Sequence, residues 1–316
     1  EKQRTMDVPE NANEGCPGTG SEKAGKTSSC AGCPGQKFCA SGEKPPAPDV
    51  SGVVDRLGAV RHKILVLSGK GGVGKSSVAA SLALALSRCQ KTQVAVLDVD
   101  LCGPSMPRML GVEAESVHSS AEGWTPVSVK DNLGVMSIAF LLDNRNDAVI
   151  WRGARKAAMI KQFLQDVDWG ELDYLVVDTP PGTSDEHISS VQLLMQAGAV
   201  DGAILVTSPQ EIALLDVRKE LSFCKKTKLP VLGVVENMSS FACPHCSGCS
   251  PLFPATTGGA AGMCEEAQIP LLATLPLDPN LAKCLDEGKD FFEEHSESPL
   301  AASLLELAKK IREMLP

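Results

Sequence analysis

What the sequence lacks sets the first limits. It has no run of about 18 apolar residues, so no helical membrane span is expected. Its start has no positive stretch followed by an apolar core, the pattern that directs secretion. Basic residues are outnumbered: 30 Lys and Arg against 39 Asp and Glu give a net charge of −9. The clustered cations that phosphate backbones select are therefore missing, and no nucleic-acid partner is expected. The short basic run Lys225, Lys226 and Lys228 reads as a solvated helix face. No internal repeat is visible. The expectation is a soluble intracellular protein, and in a reducing compartment its 12 cysteines point to metal or redox chemistry rather than to disulfides.

Residues 1–55 are rich in Gly, Ser, Pro, Glu and Lys and poor in apolar periodicity. Such a segment cannot bury enough surface to offset its ordering entropy, so it needs a bound cofactor to order it. Pro45, Pro46 and Pro48 form a spacer, after which Val53, Val54, Leu57 and Val60 begin a helix leading into a second domain, 56–316. From Lys63 onward strand-length apolar runs appear at Ile64 to Leu67, Val94 to Leu97, Leu133 to Ile138, Leu175 to Val177, Ala203 to Val206 and Val231 to Val235. They alternate with helical patterns such as Val78 to Leu86 and Ala157 to Leu164. That alternation predicts an α/β fold, a mostly parallel sheet flanked by helices, with a Cys-rich N-terminal extension.

The motif Gly69-Lys70-Gly71-Gly72-Val73-Gly74-Lys75-Ser76, continued by Ser77, follows the first strand run and precedes a helical one. In that context a Gly-rich turn aims backbone N–H groups and a helix N-terminus at phosphates, so a P-loop NTPase is expected. The glycines permit close approach, Lys75 reaches the β and γ phosphates, and the Ser76 hydroxyl binds Mg²⁺. Asp98 and Asp100 close one strand run and Asp178 closes another, at the sheet edge where ligands usually bind. Asp178 and Asp100 are expected around Mg²⁺, with Asp98 orienting the attacking water.

Lys70, an extra lysine directly after the first glycine, resembles the deviant Walker A family that includes MinD, ParA and the nitrogenase iron protein. The resemblance implies a dimer in which Lys70 reaches the nucleotide of the facing subunit, a catalytic role like that of an arginine finger. It also implies that Asn237 recognises adenine, hence ATP.

Two cysteine groups remain. Cys243-Pro244-His245-Cys246-Ser247-Gly248-Cys249 follows a strand run, and a Cys-x-x-Cys pair by itself suits zinc, a redox dithiol or an iron–sulfur cluster, with Cys264 or His245 as a fourth zinc ligand. Cys16, Cys30, Cys33 and Cys39 supply four thiolates within a short Gly-rich segment, which suits one iron–sulfur cluster or zinc.

Taken together, nearly the whole chain resembles the iron–sulfur cluster scaffolds among the Mrp-type P-loop NTPases, in the branch with an N-terminal ferredoxin-like extension. The resemblance implies two [4Fe-4S] clusters. One, held tightly, takes Cys16, Cys30, Cys33 and Cys39. The other is labile and bridges two subunits through Cys243 and Cys246 of each. Cys249 departs from the pattern, and its role stays open. ATP and Mg²⁺ are the implied small-molecule partners, and weak ATP hydrolysis would drive assembly and transfer to cytosolic and nuclear apo-proteins. The protein partners implied are a second copy or a related P-loop subunit lacking the extension, together with cluster-targeting factors. The implied location is the cytoplasm, extending to the nucleus.

Two other classes fit part of the chain: a positioning ATPase, which gives no reason for two cysteine clusters, and a nucleotide-gated electron-transfer protein. Cys89, Cys102, Cys224, Cys264 and Cys284 are scattered and read as small buried hydrophobes. His62, His118, His187 and His295 show no ligand spacing and read as structural. Trp151-Arg152-Gly153 has no assigned mechanical role. Leu300, Leu304, Leu307, Ile311 and Met314 have helical spacing beside Lys309, Lys310 and Arg312. Core packing is the expected use of that stripe, ahead of a membrane-surface helix, because Glu306 and Glu313 dilute its basic character.

Overall fold

Runs of Val, Ile and Leu become inner strands when both faces of a sheet are covered, and that is their use here. The computed structural model describes residues 16, 21, 23–33, 36–41, 50–101, 103–121, 123–142, 153–182, 185–196, 198, 200–242 and 248–316. The chain divides into two units, Glu1–Asp49 and Val50–Pro316. In the first, the described elements are a 3-10 turn at Ser28–Cys30 and helix α1, Gln36–Ser41. The second opens with α2, Ser51–Leu57, whose Val53 and Leu57 are buried in its core. The division into units thus falls ahead of this helix.

The strands of the second unit are β1 (Val60–Leu67), β2 (Val94–Asp98), β3 (His118–Ser120), β4 (Gly123–Thr125), β5 (Val127–Lys130), β6 (Leu133–Ser137), β7 (Leu172–Asp178), β8 (Gly202–Thr207), β9 (Val231–Glu236), β10 (Ser240–Ala242), β11 (Cys249–Pro251) and β12 (Leu271–Thr274). Eight of them form one sheet in the order β12-β9-β8-β1-β7-β2-β6-β5, while β3 with β4 and β10 with β11 make separate two-stranded ribbons. Every pair in the large sheet is parallel except β5 with β6.

The helices are α3 (Lys75–Ser87), α4 (Met106–Met109), α5 (Gly153–Asp166), α6 (Asp185–Gln196), α7 (Glu211–Thr227), α8 (Gly259–Ala267), α9 (Pro279–Glu287), α10 (Phe291–Glu294) and α11 (Pro299–Met314). Successive side chains of a strand point to opposite faces, so each inner strand feeds two cores. Ile64 and Val66 of β1 join α3, α9, α10 and α11 on one side, and Leu65 and Leu67 join α2, α5, α6, α7 and α8 on the other. Leu300, Leu304, Leu307 and Ile311 of α11 are buried in the first of these layers, as expected, while Met314, at the helix end, is exposed. Among the described residues no helix is long and apolar enough to cross a membrane.

Candidate nucleotide site and cysteine segments

The parallel order puts β1 between β7 and β8, so the loop leaving β1 sits beside the acidic end of β7. Two glycines make that loop possible. Gly74, with φ +82°, precedes α3, and a Cβ there would lie 2.3 Å from Asn237 Nδ2; a Cβ on Gly69 would lie 2.5 Å from the carbonyl carbon of Asp216. Only glycine accepts both constraints without moving backbone. The loop is tied down from behind: Asn237 Nδ2 donates to the Val73 carbonyl at 3.0 Å, and Gly182 N–H donates to that of Ser68 at 2.7 Å. Asn237 therefore spends its amide on the loop backbone in addition to any role toward a base.

Lys75, Ser76 and Asp178 meet at the start of α3. Lys75 Nζ donates to Asp178 Oδ1 at 2.5 Å, Ser76 Oγ donates to Asp178 Oδ2 at 2.6 Å, and Lys75 Nζ lies 3.2 Å from Ser76 Oγ. Asp178 is fully buried and Lys75 nearly so. Burial raises the Asp178 carboxyl above its ordinary value, against the pull of Lys75. Gly71, Gly72 and Lys70 are exposed, Val73 is buried, and Ser77 is half-buried on the first turn of α3.

Asp98, expected to orient water, has its oxygens committed elsewhere. Oδ1 accepts from the Asp100 N–H, and Oδ2 accepts from the N–H groups of Ser105 and Met106 and from Ser137 Oγ. It has no exposed surface, and burial pushes its carboxyl up to about 7, with the nearby Asp178 charge adding to the effect. This geometry suits Asp98 to pin the 98–106 loop, on which the half-buried Asp100 rides.

In the first unit Cys16, Cys30, Cys33 and Cys39 are free thiols. Cys30 is buried, and its contact with Thr27 Oγ1 at 3.1 Å holds its pKa below the ordinary thiol value. Among the described residues no three Cys, His, Asp or Glu side chains converge on a metal-holding position, so these four are not brought together as a ligand set. Cys243 and Cys246 lie outside the described residues, as do Cys102, Trp151 and Arg152. The chain on either side of the first two forms the β10–β11 ribbon, in which Ala242 pairs with Cys249. Cys224 and Cys264 are buried thiols pushed up to about 12 and about 11 by burial, and Cys284 is buried too. Cys89 differs from expectation: it is exposed, and a hydrogen bond from the Thr92 side chain holds its thiol below the ordinary value.

Sequence reasoning passed over one buried pair, His187 of α6 and Glu220 of α7, with Nε2 and Oε1 2.7 Å apart and no exposure on either side chain. The available signal was a carboxylate inside the apolar stripe of α7, among Leu214, Val217, Leu221 and Cys224.

The chain is similar to several known proteins. Residues 59–312 match the ParA family model described as NUBPL iron-transfer P-loop NTPase. A Brugia malayi protein named cytosolic Fe-S cluster assembly factor NUBP1 homolog is 67% identical over 306 residues, 96% of this chain and 99% of that one. A solved Archaeoglobus fulgidus nucleotide-binding protein in complex with ADP is 37% identical at a TM-score of 0.67, covering 81% of this chain and 96% of its own. The cell-division ATPase MinD of Pyrococcus furiosus, 24% identical at a TM-score of 0.55 and covering 80% and 99% of the two chains, shares the fold.

Proposed function

This chain belongs to the NUBPL-type iron-transfer P-loop NTPases of the ParA family, and on that premise we propose an ATP-dependent scaffold that builds a labile [4Fe-4S] cluster between two subunits and hands it to cytosolic and nuclear apo-proteins. The observation that carries the reading is the meeting of Lys75, Ser76 and Asp178 at a loop tied by Asn237 to β9, the strand that runs on into the cysteine-bearing ribbon. A hydrogen bond thus links the nucleotide loop to the chain that leads into the cysteine ribbon, which supports a reading in which each site alters the free energy of the other.

The residues fit Mg²⁺ and a nucleoside triphosphate. A serine hydroxyl and a carboxylate converge beside a cation at a helix N-terminus, and Gly72 has open space where a Cβ would stand. Ser76 would hold the metal, with Asp178 and Asp100 around it, and the ion would draw charge off the β and γ phosphate oxygens. Lys75, now shared with Asp178, would neutralise charge on the transferring phosphoryl group. Lys70 would reach the nucleotide of a second subunit. Asp98 would fix the loop bearing Asp100 and thereby the approach of water.

The thiols of Cys16, Cys30, Cys33 and Cys39 have the donor chemistry for a resident [4Fe-4S] cluster, supported by the absence of disulfides among them and by the depressed Cys30 thiol. The cargo cluster would sit on Cys243 and Cys246 of both subunits, whether the partner is a second copy or a related subunit without the extension. The named relative is called a cytosolic assembly factor, which supports the cytoplasm as the place of this work, and the nucleus is included in the proposal as a further location.

Anaerobic reconstitution tests the reading: Cys243→Ala or Cys246→Ala should lose the labile iron and sulfide while ATP binding persists. Equal iron and sulfide in parent and mutants would overturn it.

A further inference from the structure

Helix α7 touches the nucleotide loop, the α6 helix and the chain beyond the cysteine ribbon, each through a different residue. In its first turns Glu211 accepts from Thr257 Oγ1, which lies beyond β11, and from Arg218 Nη1 at 2.6 Å, while Arg218 Nη2 lies 3.8 Å from Glu266 of α8. Midway, the Asp216 backbone is the surface on which Gly69 rests. Further on, Glu220 meets His187, whose Nδ1 lies 3.3 Å from the Pro180 carbonyl oxygen. Pro180 follows Asp178 by two residues, so the contact with its carbonyl ties His187 to the segment that partners Lys75 and Ser76.

A buried polar pair adds little net stability compared with an apolar pair of the same shape. What it adds is sensitivity to displacement, because separating the two groups leaves each buried without its partner. A carboxylate set among Leu214, Val217 and Leu221 is therefore suited to sensing movement of α6 relative to α7.

We propose that α7 carries the nucleotide state to the cysteine ribbon, with His187 and Glu220 as its input joint and the Glu211, Arg218 and Thr257 cluster as its output. The inference rests on the scaffold reading and supplies a route for its regulation. His187 and Glu220 are positioning residues that act through the helix rather than on the nucleotide. A rival route runs from Val73 through Asn237 directly into β10.

Hydrogen–deuterium exchange on the full, iron-free chain separates the two routes, comparing no nucleotide, ADP with Mg²⁺, and a non-hydrolysable ATP analogue with Mg²⁺. In the parent the analogue should change exchange at 69–76, on α7 and at 249–258, by about fivefold or more if coupling is of ordinary size. In Glu220→Gln, which keeps the shape and replaces the carboxyl, and in Arg218→Ala, the response at 249–258 should fall to near none. The response at 69–76 and the affinity for the analogue should hold in both variants. Arg218 is partly exposed, so its result stands even if the core variant fails to fold. An undiminished response at 249–258 in the variants overturns the proposal in favour of the Asn237 route, and no response there in the parent overturns it outright. The iron and sulfide content of Cys243→Ala judges the scaffold reading independently.

Discussion

Lys75 and Asp178 form a buried pair at the heart of the candidate nucleotide site, and removing one partner strands the other. Lys75→Ala is expected to cost about 3 to 5 kcal/mol of stability, because a buried carboxylate is left uncompensated, and to abolish ATP hydrolysis. Denaturant melts and phosphate release check both. Asp98 and Asp178 give the site a pH signature. Both carboxyls are raised by burial, Asp98 from 3.8 to about 7, so the folded state binds their protons more tightly than the unfolded chain does. Their contribution to stability is therefore fully present at low pH and is lost as pH climbs toward 7. Nucleotide-free protein should lose stability over that window, and Mg²⁺ with nucleotide should restore more of the melting temperature at about pH 8 than at about pH 6. Equal restoration at both would contradict a surplus of buried negative charge. Cys89 makes a third case: an exposed, depressed thiol should be alkylated by iodoacetamide well before Cys224, Cys264 or Cys284, as peptide mass mapping would report.

At the level of elements, the glycine loop and six strand runs could be read from the sequence because each combines local chemistry with an apolar run closed by polar residues. β5 and β12 escaped, being four-residue edge strands with mixed burial and no long apolar run to mark them. Asp98 was legible as an acid at a strand end but not as a clasp for backbone N–H groups, since Ser105, Met106 and Ser137 are brought to it only by the fold. The stripe of α11 was legible because four of its residues recur at helical spacing. Leu304→Ala in that helix should cost about 2 to 5 kcal/mol by opening a cavity against the first core layer, while nucleotide affinity of the folded fraction stays level. Urea titration with a fluorescent nucleotide separates the two effects.

For the molecule as a whole, the division at Asp49 predicts that a chain starting at Val50 retains the melting temperature and nucleotide affinity of the full chain. On the cluster assignment proposed above, it should lose only the iron assigned to the N-terminal thiols, as iron quantification and EPR would register. A drop of many degrees on truncation would refute two separately stable units. The order of the sheet carries one more consequence. β1, which bears the nucleotide loop, pairs with β7 and β8, strands that come far later in the chain. A ribosome must therefore release residues through 207 before that strand has both neighbours. The loop proposed to hold phosphate is made early but gains both neighbouring strands only after residue 207, so shorter polypeptides would carry it without the sheet that fixes its ends.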